Sequence, residues 1–325
     1  MAIDGMDRRG FMVQAGSFGA AAFLAAVARG EQAGRTPGQR GGGQRERGQG
    51  RGAPGSTPNA RRLGWTISCQ MYTFRDRSFY ETLPVLETLG IRAVEPAFFL
   101  PLSKEKPDLK TSEELSAEMR AEMKQRLADH GIRMLSYYAP IGGDAAVYRK
   151  IFDFSKEMGV RVIVAEPPAE AFDKIEPLCQ EYEIDLAIHN HPKGPNSMYW
   201  NPDNVLAVCK DRGPRIGACA DTGHYVRSAL DPVESLKKLK GRIIAMHLKD
   251  VIEVGKPEAR DVPLGTGKAN YKAVLDELRE QQWRGIATIE YEHLSDKLVE
   301  EVGQCVKFVE DYATSVRPQG RRLER

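Results

Sequence analysis

An α/β fold, a (β/α)8 TIM barrel with a parallel eight-stranded sheet, is predicted by three features of the sequence. Short apolar runs alternate with amphipathic stretches, the pattern of a parallel sheet covered by helices. Eight such units occupy about 250 residues, the size of a closed eight-unit barrel. No Gly-x-Gly-x-x-Gly follows the first run, which removes the main argument for a doubly wound open sheet. The strand-like runs cover 63–70, 91–95, 132–137, 161–166, 184–189, 215–221, 242–247 and 285–290. Apolar residues at helical spacing mark helices such as 80–89, 113–130, 147–158 and 271–281 between them. Ser112 is placed to cap the second of these. Gly90, Gly131 and Gly159 stand between a helix and the next strand, the usual C-terminal punctuation.

The barrel does not begin at residue 1. Asp7-Arg8-Arg9-Gly10-Phe11 precedes an uncharged run over 12–28, and Ala26-Val27-Ala28 offers small residues for cleavage. Paired arginines ahead of a mild apolar stretch predict a twin-arginine signal peptide over 1–28, hence export to the periplasm or otherwise out of the cytoplasm. The run is short for a membrane span, and no Cys follows it directly to carry a lipid, so no membrane anchoring is expected after cleavage. Residues 29–62 are mostly Gly, Gln, Arg and Pro and cannot bury a core, which predicts a disordered linker. Residues 63–312 are then the catalytic barrel and 313–325 a basic tail.

Seven arginines and one glutamate lie between Gly34 and Arg62, with no aromatic residue interleaved to stack on bases. The whole chain carries 47 basic and 45 acidic residues, net +2. Residues 1–62 hold ten of the basic and four of the acidic ones, so the remaining 37 and 41 leave −4. Nothing in an acidic barrel suggests a polyanion partner, so no nucleic acid is expected. A homo-oligomer is compatible with the sequence. The five cysteines are widely spaced and form no Cys-x-x-Cys, which excludes a thiolate zinc site but leaves disulfide pairing open.

Four runs end on residues able to bind a metal: His189, Asp221, His247 and Glu290. A parallel barrel brings its C-terminal strand ends to one mouth, where active sites lie. Two imidazoles and two carboxylates suit one divalent ion, Mn, Zn, Fe or Co, and not an all-oxygen Ca²⁺ site. Gly223 is expected to turn the backbone so that Asp221 and His224 both face the mouth. The blander reading makes Asp221 a helix N-cap. His224 is placed to bond a sugar oxygen or relay a proton. Lys249 shares the face of His247 and could stabilise an oxyanion, while Asp250 would pair with it or orient a ligand. Glu290 is both ligand and base candidate. Glu166 and Glu95 end the fourth and second strands on the same rim, Glu166 as an alternative base and Glu95 as a substrate contact. His191, Glu292 and Trp200, the last in the aromatic loop Met198-Tyr199-Trp200, complete the substrate-binding candidates.

Asp221-x-x-His224, His247 one repeat later, Gly265-Thr266-Gly267 and Trp283-Arg284-Gly285 leading into Thr288-Ile289-Glu290 resemble the xylose isomerase-like TIM-barrel superfamily, the sugar phosphate isomerase/epimerase group. The resemblance covers about 63–310. It implies an ion held by Glu, Asp, His and Glu from strands five to eight, of which the last three carry over to Asp221, His247 and Glu290. The first position departs: His189-Asn190-His191 stands where the family usually has a Glu-Asn-His type of strand end. Family epimerases use both metal-bound glutamates as acid and base, so Glu290 stands here without its partner.

The expected function is therefore that of a divalent-metal-dependent sugar isomerase or epimerase that removes a proton next to a carbonyl through an enediolate. A lyase or hydratase opening a 3-keto-glycoside by β-elimination is the neighbouring alternative. An endonuclease IV-like nuclease needs a His-rich zinc cluster, whereas this chain has six His in all. A non-catalytic sugar-binding barrel is the third class. The expected partner in every favoured case is a small-molecule carbohydrate.

Overall fold

The computed structural model describes residues 57–142 and 144–316. The expected signal peptide, the linker up to residue 56 and the tail beyond residue 316 lie outside the described residues.

The first element falls inside the expected linker. Pro58–Leu63 is a helix with Pro near its start and Gly64 past its end at φ 89°. That pairing of Pro and Gly is a local helix signal that the arginine-rich composition around it obscures. Asn59 N and Ala60 N donate to the Glu310 carboxylate at 3.1 and 2.8 Å, which ties this helix to the last one. The last helix, Leu298–Ser315, runs past the expected boundary at 312.

Eight parallel strands follow one another round the barrel. They are Trp65–Gln70, Ala93–Glu95, a third in two pieces (Arg133–Met134 and Ser136–Tyr138), Val162–Ala165, Asp185–His189, Ile216–Asp221, Ile243–Leu248 and Gly285–Ile289. The first pairs with the eighth from Trp65 opposite Gly285 to Cys69 opposite Ile289. The third closes the ring, its first piece on the second strand and its second piece on the fourth. Leu135 joins the pieces: its N–H donates to Val94 O at 3.2 Å and its carbonyl accepts from Arg161 N at 2.9 Å.

Strand alternation sets the site. Ala93, Val164, Ala187, Cys219, Ala245 and Ile286 belong to one small apolar cluster inside the barrel. Two residues further along the same face come Glu95, Glu166, His189, Asp221 and His247, and four beyond Ile286 comes Glu290. Small side chains in that layer leave room for polar groups above it.

Helices cover the outside. Phe79–Thr88 starts on a reciprocal capping box between Ser78 and Glu81. The helix expected over 113–130 is shorter, Ala117–Asp129, and its cap is Ser116, which accepts from Met119 N at 3.3 Å. The missing turn is drawn inward instead: Glu113 is buried and accepts from the Tyr137 hydroxyl at 2.8 Å. A two-stranded antiparallel ribbon, Asp250–Val251 with Asp261–Val262, sits beyond the seventh strand.

Candidate metal centre

His189, Asp221, His247 and Glu290 are all buried, and each offers a ligand atom within 4.8 Å of the other three. They come from four consecutive strands, as the strand-end pattern predicts. Asp221 does both things expected of it. Its Oδ1 caps the helix Thr222–Arg227 by accepting from His224 N at 2.8 Å, while Oδ2 faces the cluster. Asn190 holds the Asp221 backbone at both ends, Oδ1 accepting from its N–H at 2.8 Å and Nδ2 donating to its carbonyl at 3.1 Å.

His247 is clamped between two carboxylates. Nδ1 meets Glu290 Oε2 at 2.9 Å and Nε2 meets Glu95 Oε1 at 2.7 Å. Nδ1 is also the nitrogen nearer Asp221 Oδ2, at 3.9 Å. Glu95 is therefore fully buried behind the imidazole, bonded to its far nitrogen. A carboxylate on the far nitrogen of a ligating histidine fixes its tautomer and raises its basicity. Burial lowers the His247 pKa, but Cys219, Glu95 and Glu290 outweigh it and hold the imidazole well above its ordinary value.

Lys249 is the charge at the centre. Its Nζ lies 3.2 Å from Asp221 Oδ2, 3.1 Å from Glu290 Oε2 and 3.4 Å from Glu292 Oε1, with no exposure. Burial opposes its charge, yet Asp221, Glu290 and Glu292 keep its pKa above the ordinary lysine value. In turn, Lys249 and His247 overcome burial and hold Glu290 well below the usual carboxylate range. Gly223 exists for this lysine. It is helical, with no left-handed turn, and a Cβ on it would lie 2.5 Å from Lys249 Cγ.

His224 is buried, with Nε2 3.2 Å from Lys249 Nζ and Nδ1 3.2 Å from an Arg227 nitrogen. A neutral imidazole has one acceptor nitrogen, so only one of those contacts is a hydrogen bond. Burial first, then Lys249, His191 and Arg227, hold its pKa well below the ordinary value. It can bond a substrate oxygen but carries no imidazolium proton to relay at neutral pH.

Glu166 and His191 form a pair beside the cluster, Oε1 to Nδ1 at 2.6 Å, and the Tyr138 hydroxyl donates to the same oxygen at 2.9 Å. Burial raises Glu166, but His189 and His191 pull it far below the usual range, so it stays ionised. Glu292 pairs with Arg227. The structure places Lys193 Nζ 4.7 Å from the ring centre of Trp200, a cation–π contact in the loop after the fifth strand. Asp250 does not pair with Lys249. Its carboxylate takes the backbone N–H of Val251, Gly265, Gly267 and Ala269 at 2.9–3.0 Å and so shapes the Gly-Thr-Gly loop.

Arg227 and Asp261 were not singled out by sequence. Arg227 Nη2 donates to Asp261 Oδ1 at 2.5 Å, and burial pushes the Asp261 carboxyl up to about 7 against Lys249 and Arg227. Arg227 carries a signal that could have found it, since Asp221, His224 and Arg227 repeat at one helical face. Asp261 opens a two-residue strand too short to leave a sequence pattern.

The donor set fits a divalent cation. Both nitrogens of His189 and Oδ2 of Asp221 are buried without a hydrogen-bond partner, and such groups in a fold are costly unless something pairs with them. The Asp221 oxygen has the Lys249 ammonium as an ion-pair partner at 3.2 Å.

A family model described as a xylose isomerase-like TIM barrel matches residues 83–310. The chain belongs to that family. A solved structure of a putative uncharacterised protein from Parabacteroides distasonis is 31% identical, covers 76% of this chain and 99% of its own, and superimposes with a TM-score of 0.62. A D-tagatose 3-epimerase-like protein is 18% identical over 77% of this chain and 98% of its own, TM-score 0.60. The IolI protein with a bound zinc atom is 15% identical over 78% of this chain and 100% of its own, TM-score 0.62. The last two share the fold. An uncharacterised protein of Methanocaldococcus jannaschii is 26% identical over 127 residues, and the match spans 42% of that protein's length.

Proposed function

We propose that this member of the xylose isomerase-like family is a divalent-metal-dependent enzyme that removes a proton next to a carbonyl in a carbohydrate. The observation that carries the reading is the convergence of His189, Asp221, His247 and Glu290 around two buried His189 nitrogens that have no hydrogen-bond partner. These four residues would hold the ion. When bound, a divalent cation supplies Lewis-acid polarisation of a substrate carbonyl. Glu290, kept ionised by Lys249 and His247, takes the proton from the adjacent carbon. The Lys249 ammonium stabilises negative charge developing on the substrate oxygen. His224 offers a neutral nitrogen to a hydroxyl. Burial of the cluster excludes water, which strengthens each of these interactions.

The substrate class rests on the family and on a fold shared with an epimerase-like protein and a zinc-binding one. Position 189 favours a second reading within the same chemistry. With His there, no second ligand glutamate faces Glu290, so one-base isomerisation or β-elimination from a keto-glycoside fits better than two-base epimerisation.

Ketoses and 3-keto-glycosides incubated with the zinc- or manganese-loaded protein in deuterated buffer should gain deuterium beside the carbonyl. Glu290→Gln should slow exchange by about 10²-fold or more. Release of an aglycone assigns β-elimination, and its absence with exchange assigns isomerisation. If the protein retains no metal, and Asp221→Ala changes neither stability nor ligand binding, the metalloenzyme reading fails.

A further inference from the structure

We propose that the fold builds a second divalent-cation site from Glu166, His191 and the Nδ1 of His189, on the other side of an imidazole shared with the first. The proposal rests on the metal-centre reading for that shared ligand. His189 is 2% exposed and its two nitrogens point into two different clusters. Nε2 faces Asp221 Oδ2 at 3.7 Å and Nδ1 faces Glu166 Oε1 at 3.7 Å, both too long for hydrogen bonds. Neither nitrogen has any hydrogen-bond partner. One metal site alone would satisfy Nε2 and leave Nδ1 orphaned.

Glu166, His189 and His191 place one ligand atom each within 4.8 Å of the others, as the four residues of the first cluster do. Ligands about 2.1 Å from an ion lie at most about 4.2 Å apart, and the His189 Nδ1–Glu166 Oε1 and His191 Nδ1–Glu166 Oε1 separations of 3.7 and 2.6 Å fall inside that reach. The geometry around the three is already ordered. The Tyr138 hydroxyl holds Glu166 Oε1 at 2.9 Å, and the His191 ring stands edge-on to His189 at 4.7 Å between centres. His191 Nδ1 and Glu166 Oε1 already stand 2.6 Å apart, which brings two of the donors together.

Charge supports the arrangement. A cation on each nitrogen turns His189 into an imidazolate, its N–H proton passing to solvent, while His191 would bind through Nδ1 as the neutral Nε2–H tautomer. The ligands Asp221, Glu290, Glu166 and the imidazolate then carry four negative charges for two divalent ions, with the Lys249 ammonium countered beside them by Glu292 at 3.4 Å. Two imidazole nitrogens and one carboxylate oxygen suit Zn²⁺, and three protein ligands leave a position open. The replacement of a family glutamate by His189 thus has a consequence of its own: a carboxylate could reach across two ions loosely, whereas an imidazole holds them about 6 Å apart.

The test is zinc stoichiometry. The full chain, stripped with chelator and titrated with Zn²⁺ alone, should retain two equivalents after gel filtration, read by elemental mass spectrometry. The near-isosteric Glu166→Gln and His191→Gln should each retain one. Asp221→Asn should also retain one, held by the second site. Circular dichroism melts establish that each variant is folded. Saturation of the wild type at one equivalent that Asp221→Asn removes overturns the second site and leaves the first standing. Two equivalents retained in both Glu166→Gln and His191→Gln also overturn it. Failure of the wild type to hold any zinc overturns both readings.

Discussion

Lys249→Met should weaken the metal-free protein and strengthen its grip on metal. The ammonium has no exposure and lies 3.1–3.2 Å from Glu290 Oε2 and Asp221 Oδ2. At an effective dielectric constant near 20, each pair is worth about 5 kcal/mol of Coulomb attraction. Desolvation of the three ions cancels most of that gross gain. Removing one partner of a buried ion network nevertheless leaves uncompensated charge and costs about 3–5 kcal/mol. For a domain of this size, each kcal/mol moves Tm by roughly 2–4 °C, so the chelator-treated variant should melt about 6–20 °C lower. Met fills nearly the same space, which separates the charge effect from a cavity. The same two oxygens are the ones a divalent ion needs, and a lysine bound to them competes with it. Zinc affinity should therefore rise at least tenfold, about 1.4 kcal/mol. Urea denaturation with and without zinc, together with competition titration against a chromophoric chelator, reads both quantities. A stability loss below about 1 kcal/mol, or zinc affinity that is unchanged or weaker, would refute the reasoning.

Gly223→Ala should act through the same lysine, because its Cβ would lie 2.5 Å from Lys249 Cγ. A loss of about 1–3 kcal/mol is expected, and it should shrink in the Lys249→Met background if the clash is the cause. Zinc binding should release protons and strengthen as pH rises, since His189 and His247 coordinate only when a nitrogen is free. Because Glu95 and Glu290 raise His247, the proton stabilises the metal-free fold fully below its ordinary value near 6.5, and this contribution is lost as pH rises through the raised folded value. Calorimetry in two buffers of different ionisation enthalpy measures the release, and a value of zero contradicts the assignment. Export through the twin-arginine route predicts that replacing Arg8 and Arg9 by Lys retains the chain in the cytoplasm, and unchanged fractionation would end that reading.

Part of this site could be read before any fold was known, and the division has a pattern. Asp221, His247 and Glu290 each close a run of apolar residues, so their placement follows from strand periodicity alone. His189 was found the same way, and its departure from the family pattern is visible as a single letter. The helix start at Ala117 was misplaced because Ser112 and Ser116 are equally good caps by residue type. The choice between them depended on Glu113 finding the Tyr137 hydroxyl. Gly223 was singled out for the wrong reason. Its freedom from a side chain matters for Lys249, which lies 26 residues away and on a different element. Glu95 looked like a rim charge from its strand end, yet its strand is short and its side chain reaches beneath His247.

Sequence by itself determined the barrel and which four side chains meet at its mouth, because a period of two sends i and i+2 to one face and parallel strands bring their ends to one mouth. It also determined the chemistry of the donor set, which is a matter of residue type. Tertiary structure alone decided which partner each side chain takes. Glu95 behind His247, Lys249 among three carboxylates, Arg227 on Asp261 and Glu166 on His191 are all pairings across segments 25 to 152 residues apart. Such pairings depend on distances of a few ångströms between strands, and no local pattern encodes them. The two open nitrogens of His189 belong to this second kind, since only the surrounding packing withholds a partner from both.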